Sequence, residues 1–247
     1  MGFGRKYFEK KATKYLNTTN ITKSMDKIST GTKIMDSLLE GGYEKDAITT
    51  IYGPAGSGKT NLLLLAAVET AQKGQKVVYI DTEGGFSITR LKQIAPSHDK
   101  ILKNIIFFKP TTFQEQKKAF EKLKELANTK IGLIIVDTIS MLYRLERHEE
   151  GIKEINRALG EQICSLTEIA RKKNIPILIA NQVYSPFESK EQVKIVGGDI
   201  MTYGSKCLIE IQTGTKGTRK AILRKHRSIA GEKEETFRIV QKGIEKI

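Results

Sequence analysis

Tryptophan is absent from this sequence, and cysteine occurs only twice, at Cys164 and Cys207. Two cysteines make no disulfide framework and have no metal-ligand spacing. One falls on an expected helix and the other on an expected strand, and both are assigned to packing. Long apolar runs are missing as well. The longest aliphatic stretch, LLLLAAV at 62–68, is far too short to span a bilayer. No apolar segment follows the basic start, so no signal peptide is expected. Lys6 in MGFGRK stands where an acylation motif wants Ser or Thr. There is no internal repeat or low-complexity tract. With a mean hydropathy of −0.33, these absences lead to the expectation of a soluble, cytoplasmic protein with no membrane partner.

Acidic charge is also in short supply. Lys and Arg number 42 against 28 Asp and Glu, a net charge of +14 over 247 residues. Such a balance suits nucleic acid or anionic surfaces, and suits equally a lysine-rich, solvated surface. Residues 1–27 alone carry seven basic and two acidic side chains, +5, interleaved with Phe3, Tyr7, Phe8 and Tyr15. This stretch reads as a peripheral basic arm, and 28–247 as one domain.

Within that domain strands and helices alternate. Strands are expected at 47–53, 76–82, 105–109, 131–138 and 175–183, and helices at 59–73, 113–128 and 150–173. The strands are almost continuously apolar, which calls for a parallel sheet covered on both faces. The end changes character. KCLIEIQT, KAILRKHR and TFRIVQK, with a turn at GTKGT, read as an antiparallel extension. The expected fold is α/β, a mostly parallel twisted sheet flanked by helices with antiparallel strands at its C-terminal side.

GPAGSGKT at 53–60 fits G-x-x-x-x-G-K-[ST] between a strand and a helix. Gly53, Pro54, Ala55, Gly56, Ser57 and Gly58 would wrap phosphates with backbone N–H groups at a helix N-terminus. Lys59 would reach the β and γ phosphates, the Thr60 hydroxyl would bind Mg²⁺, and Asn61 follows directly. Asp137 closes the apolar strand at 131–138, where a carboxylate holds magnesium. Thr138 in place of a second acidic residue speaks against a hexameric motor. The TIS that follows Asp137 and the lack of N-K-x-D speak against a GTPase. Hydrolysis needs another carboxylate to polarise water. Glu83 in YIDTEGG is the best placed; read without a site, it is a strand-end carboxylate facing solvent.

The order P-loop, YIDTEGGF, LIIVDT, ANQV, GGD resembles the RecA/RadA recombinase family, and ISTGTKIMDSLLEGG at 28–42 resembles its entry segment. The resemblance covers roughly 28–243 and implies a RecA-like ATPase using ATP and Mg²⁺. It implies further that Glu83 activates water, that Gln182 senses the γ phosphate and passes its state to the following loop, and that Arg90 stacks on adenine. Phe86 is assigned to packing. Two DNA loops are implied. One lies around Arg144, Arg147 and His148, the other at 184–198 with Tyr184, Lys190 and Lys194. The second is as readable as an ordinary solvated loop, since Glu188 and Glu191 offset its lysines. Lys225 and Arg227 in LRKHRS resemble cation pairs that act in trans on a neighbour's γ phosphate in bacterial RecA-like and KaiC-like ATPases; a DNA-facing or solvated basic strand is the alternative.

No room is expected before Ile28 for the helix-hairpin-helix domain of RadA-type recombinases, and the polymerisation motif F-x-x-A is out of register in YFEKKATKY. A basic, core-only chain resembles the RadB group of archaeal RadA paralogues. That resemblance implies an ATP- and DNA-binding accessory protein of homologous recombination and repair, with weak ATPase activity. The implied partners are single-stranded DNA and a RadA-type recombinase, with possible homo-oligomers and a nucleoid-associated location. A KaiC-like regulatory ATPase and a full strand-exchange recombinase are the alternatives.

Overall fold

A computed structural model describes residues 26–128, 130–146, 152–184 and 194–247. A short antiparallel ribbon, β1 (Lys27–Ile28) with β2 (Tyr43–Glu44), encloses helix α1 (Lys33–Leu38), whose N-cap Thr32 accepts a hydrogen bond from the Ile34 amide. There follow β3 (Ile48–Tyr52), α2 (Lys59–Gln72), β4 (Lys76–Asp81), α3 (Ile88–Ile94), α4 (His98–Leu102) and β5 (Ile105–Phe108). Next come α5 (Phe113–Leu126), β6 (Ile131–Asp137), α6 (Ser140–Leu145), α7 (Ile152–Lys173) and β7 (Ile177–Asn181). A small hairpin of β8 (Val183–Tyr184) and β9 (Lys194–Ile195) precedes α8 (Gly198–Gly204). The chain then runs through β10 (Cys207–Thr213), β11 (Thr218–His226), β12 (Lys233–Val240) and β13 (Gly243–Lys246).

Nine strands form one sheet in the order β13-β12-β11-β10-β3-β7-β6-β4-β5. From β10 to β5 every neighbouring pair is parallel; β11, β12 and β13 are antiparallel. Apolar side chains on both faces explain the parallel part. On β6, Leu133 and Ile135 join the core under α1–α4, while Ile134 and Val136 join the core under α5–α8. A strand buried on both sides shows no polar alternation. Phe86 packs as expected, edge-on to Tyr79 and Phe107 with ring centroids 5.2 and 4.6 Å away.

The five expected parallel strands and three expected helices lie within two residues of their bounds, β12 begins three residues before TFRIVQK, and there are three further differences. The stretch read as one strand at 175–183 is two, because the chain leaves the sheet ladder at Gln182, just after Asn181. Its side chain accepts from the Gln182 amide and donates to the Val196 carbonyl, so the chain turns into the β8–β9 hairpin. A fourth C-terminal strand, β13, was not foreseen. Cys164, assigned to packing, is exposed: α7 turns Ile163, Leu166 and Ile169 to the core and leaves 164 outward, whereas Cys207 is buried.

The parallel arrangement brings the C-terminal ends of β3, β7, β6 and β4 to one edge. There Tyr52 pairs with Asn181 and Asp81 with Asp137. Ligands of open α/β sheets bind beyond this edge. Because β6 is central and dry, Ile135→Ala should lower the unfolding free energy by about 2–5 kcal/mol. Ile88→Ala, at a half-exposed position, should change it by less than about 0.5 kcal/mol. Denaturant titration of both variants measures the difference.

Candidate functional site

The loop from β3 to α2 is shaped by its glycines. Gly56 and Gly58 take φ of 71° and 100°, a left-handed region that side chains disfavour. A Cβ on Gly58 would also lie 2.7 Å from Ile239 Cδ1. Lys59 opens α2 and is buried. Its ammonium donates to the carbonyls of Gly53 at 3.0 Å and Pro54 at 2.8 Å. Burial lowers its proton affinity, while the charges of Glu83 and Asp137 oppose that effect. The Ser57 hydroxyl is buried with no partner among the described residues. Above the loop lies a cleft of about 370 Å³ lined by Ala55, Gly58, Lys59, Thr60, Glu83, Arg90 and Gln182 among others. A helix N-terminus, left-handed glycines, a lysine and an orphan hydroxyl suit a polyphosphate.

Asp137 ends β6 beside Lys59 and is 1% exposed. Its Oδ2 accepts from the Tyr79 hydroxyl at 2.9 Å, and its Oδ1 has no partner among the described residues. Burial raises the carboxyl to about 6. Hydrogen bonds from Thr60 and Tyr79 pull it down, and the neighbouring carboxylates Glu83 and Asp81 push it up. A Cβ on Gly85 would sit 3.5 Å from Thr60 Oγ1 and 3.9 Å from Asp137 Oδ2, so glycine keeps the space beside both oxygens open. Among the described residues no group of three or more Asp, Glu, His or Cys could hold a metal unaided. One hydroxyl and one carboxylate, with the phosphates of a nucleotide, match the way Mg²⁺ is usually held.

Tyr79 and Asp81 were not singled out in the sequence. The i, i+2 spacing along YIDTEGG, which puts both on one face of β4, is the signal that could have found them. Asp81 organises the next turn. Its two oxygens accept from the Gly85 amide at 3.1 Å and the Phe86 amide at 3.2 Å. That turn presents Glu83, whose Oε1 accepts from Thr138 Oγ1 at 2.9 Å and from Gln182 Nε2 at 2.5 Å. Gln182 Oε1 in turn accepts from Arg144 Nη1 at 2.5 Å. Four side chains from β4, β6, α6 and the end of β7 are thereby joined in one line.

Arg90, on α3, uses all five of its N–H donors. It donates to Asn61 Oδ1, Gln93 Oε1 and the carbonyls of Val240, Gln241 and Gly243 at 2.7–3.1 Å. The guanidinium plane is therefore fixed at the rim of the cleft, between α2 and the β12–β13 turn. Ile239 and Arg219 also come to this rim from the C-terminal strands. Arg219 Nη2 stands 3.5 Å from the Gly56 carbonyl, a placement that its position within a plain strand did not reveal.

The other expected residues divide. Arg144, Tyr184 and Lys194 are exposed near the Gln182 end of the cleft, while Arg147 and Lys190 lie outside the described residues. Lys225 and Arg227, expected to act on a neighbouring copy's phosphates and so away from their own loop, are engaged within the chain. Lys225 Nζ donates to the carbonyls of Thr202 and Ser205 at the end of α8. Arg227 pairs with Glu44 at 2.6 Å and Asp46 at 2.5 Å. β11 runs antiparallel to β10 and carries both to the end of the sheet opposite the P-loop.

Comparison with known proteins fits this arrangement. The Rad51 family model matches residues 22–247. A protein from Methanobrevibacter smithii called DNA repair and recombination protein RadB is 43% identical over 225 residues, which cover 88% of this chain and 95% of the relative. A protein of the same name from Methanocaldococcus jannaschii is 42% identical over 215 residues, covering 86% and 99%. A solved structure described as the RadB recombinase superposes with a TM-score of 0.77 at 37% identity, covering 89% of this chain and 99% of that one. The sheet order, the P-loop and the sequence match together make this chain a member of the Rad51 family, within its RadB group.

Proposed function

We propose that the chain is an ATP- and DNA-binding accessory protein of homologous recombination and repair, with weak ATPase activity. It would work in the cytoplasm at the nucleoid, on single-stranded DNA and beside a RadA-type recombinase. The observation that carries this reading is the convergence of the Gly53–Thr60 loop, Asp137 and Glu83 on one cleft, with Gln182 and Arg144 leading from it toward an exposed basic rim. Among the described residues no helix is long and apolar enough to cross a membrane.

In this reading the loop amides and Lys59 bind the triphosphate, and Arg90 offers its fixed plane to the adenine. Thr60 and Asp137 would hold Mg²⁺, which when bound would neutralise charge on the phosphates. Glu83 accepts a proton from the attacking water. Thr138 and Gln182, both bonded to Glu83, orient that carboxylate. Lys225 and Arg227, bonded to the end of α8 and to the turn after β2, would serve the cleft of a neighbouring copy and not their own. DNA contacts belong to Arg144, Tyr184 and Lys194, and to Arg147 and Lys190, which lie outside the described residues.

Three measurements test the reading. Single-stranded DNA titrated with and without ATP·Mg²⁺ should bind more weakly as salt rises, and its affinity should depend on nucleotide. No binding at low salt in either condition would favour a regulatory ATPase acting through protein partners. Glu83→Gln should keep nucleotide affinity and lose turnover by about a hundredfold or more; unchanged turnover would assign the base elsewhere. Mg²⁺ affinity should rise with pH through about 6 and level off above, because the Asp137 carboxyl, raised to about 6 by burial, must lose its proton to accept a cation. Removing the Tyr79 hydroxyl bond, which favours the carboxylate, with Tyr79→Phe should move that midpoint upward. Calorimetric titration across pH 5–8 reads both, and a flat profile would mean that Asp137 does not hold the ion.

A further inference from the structure

Arg90 spends all five N–H donors inside the chain, on Asn61 Oδ1, Gln93 Oε1 and the carbonyls of Val240, Gln241 and Gly243. A guanidinium donates in its own plane, so these acceptors ring its edges and lie near that plane. Arg90 is half-buried and lines the cleft. With its edges engaged, what it turns to the cleft is a face. A nucleobase stacked on that face lies about 3.5 Å from the guanidinium plane. A base pairs through its edge, in the plane of its own ring. The acceptors that Arg90 holds are therefore one layer away and do not meet that edge. The rest of this end is mostly apolar. Leu64 is buried and Ile239 half-buried, and both line the cleft. Asn61 Nδ2 is buried without a partner among the described residues and so is closed off from the cleft. Ser87 Oγ both donates and accepts, so it suits an amino group and an oxo group equally. Glu83, the one carboxylate among the described residues that line the cleft, is tied to Thr138 and Gln182 at the Gln182 end.

We propose that the base end of the cleft, built from the Arg90 plane with Ile239 and Leu64 beside it, reads the face of a nucleobase and not its edge. The chain then takes purine nucleoside triphosphates as a class and does not select adenine over guanine. This rests on the nucleotide-binding reading above and widens it from ATP to that class. Adenine and guanine offer nearly the same stacking area and differ at the edge, an N6 amino group against an O6. Telling them apart needs a donor or acceptor of fixed kind in the plane of the ring. An arginine with its donors spent supplies only a flat cation, which attracts the face of any base. Aliphatic side chains supply contact area and no direction. Cytosine and uracil, with one ring, cover less of both.

Calorimetric titration of the unsubstituted protein with ATP, GTP, ITP, CTP, UTP and inorganic tripolyphosphate, each with Mg²⁺, tests this. ATP, GTP and ITP should bind within about threefold of one another. CTP and UTP should bind about three- to tenfold more weakly, and tripolyphosphate, which has no base, more weakly still. A difference of about tenfold or more between ATP and GTP, in either direction, overturns the proposal, because it requires a group that reads the edge. So does tripolyphosphate that binds as tightly as ATP. Ile239→Ala then locates the slot. It should weaken ATP and GTP by the same factor, about threefold or more, and leave tripolyphosphate unchanged. No loss, a loss confined to one purine, or a loss shared by tripolyphosphate overturns the proposal. The nucleotide-binding reading fails on a different result. It falls, and the slot with it, if neither ATP nor tripolyphosphate binds, whereas ATP bound selectively over GTP leaves it standing and removes the slot alone.

Discussion

Ionising a carboxyl group almost wholly removed from water costs free energy that only well-placed partners offset. Asp137 is in that position, and much of the site is arranged around its cost. Tyr79 on the neighbouring strand bonds to it, the Thr60 hydroxyl at the start of α2 favours its charged form, and Lys59 places a positive charge nearby. Each of these groups is where it is because β4, β6 and α2 are fixed by cores on both faces of the sheet. The demand for one buried charge thus ties the phosphate loop, the β4 edge and the β6 edge to a single geometry. Asp81, one strand over, adds like-charge repulsion to that cost, while its oxygens accept from the amides of Gly85 and Phe86 and shape the turn that follows.

The outward side of the same edge follows another logic. There Glu83 and Arg144 are exposed, Gln182 is half-buried and Thr138 is buried, and their order depends on a chain of directional bonds. Thr138, Glu83, Gln182 and Arg144 come from four separate elements and meet only because β4, β6 and β7 end level with one another. The Gln182 end is held further by the Asn181 side chain, which pins the base of the β8–β9 hairpin.

Much of this was legible in the sequence, for physical reasons that can be named. Continuous apolar strands announce a sheet buried on both faces, and the P-loop's glycines announce a backbone that only glycine adopts easily. Asp137 and Glu83 stood out because each closes an apolar strand. What was hidden depends on register and packing. Tyr79 is one more aromatic in a strand until β6 is laid beside it. Gln182 could be tied to its loop by resemblance, but its bonds to Glu83 and Arg144 need three dimensions. Lys225 and Arg227 read as free cations because their partners, the carbonyls of Thr202 and Ser205 and the acids Glu44 and Asp46, are distant in sequence. Cys164 shows the limit of helix composition: one step of 100° separates it from the buried Ile163.

The two ends of the nucleotide cleft are reached by very different routes along the chain. Lys59 meets the carbonyls of Gly53 and Pro54 within six residues, a closure that needs almost no search. Arg90 meets Val240 across 150 residues, so the entropy of bringing those segments together is spent before that contact returns anything. The phosphate end is thus a local product of its own sequence, while the base end exists only as a report that the sheet, from its centre out to the last hairpin, has already been assembled.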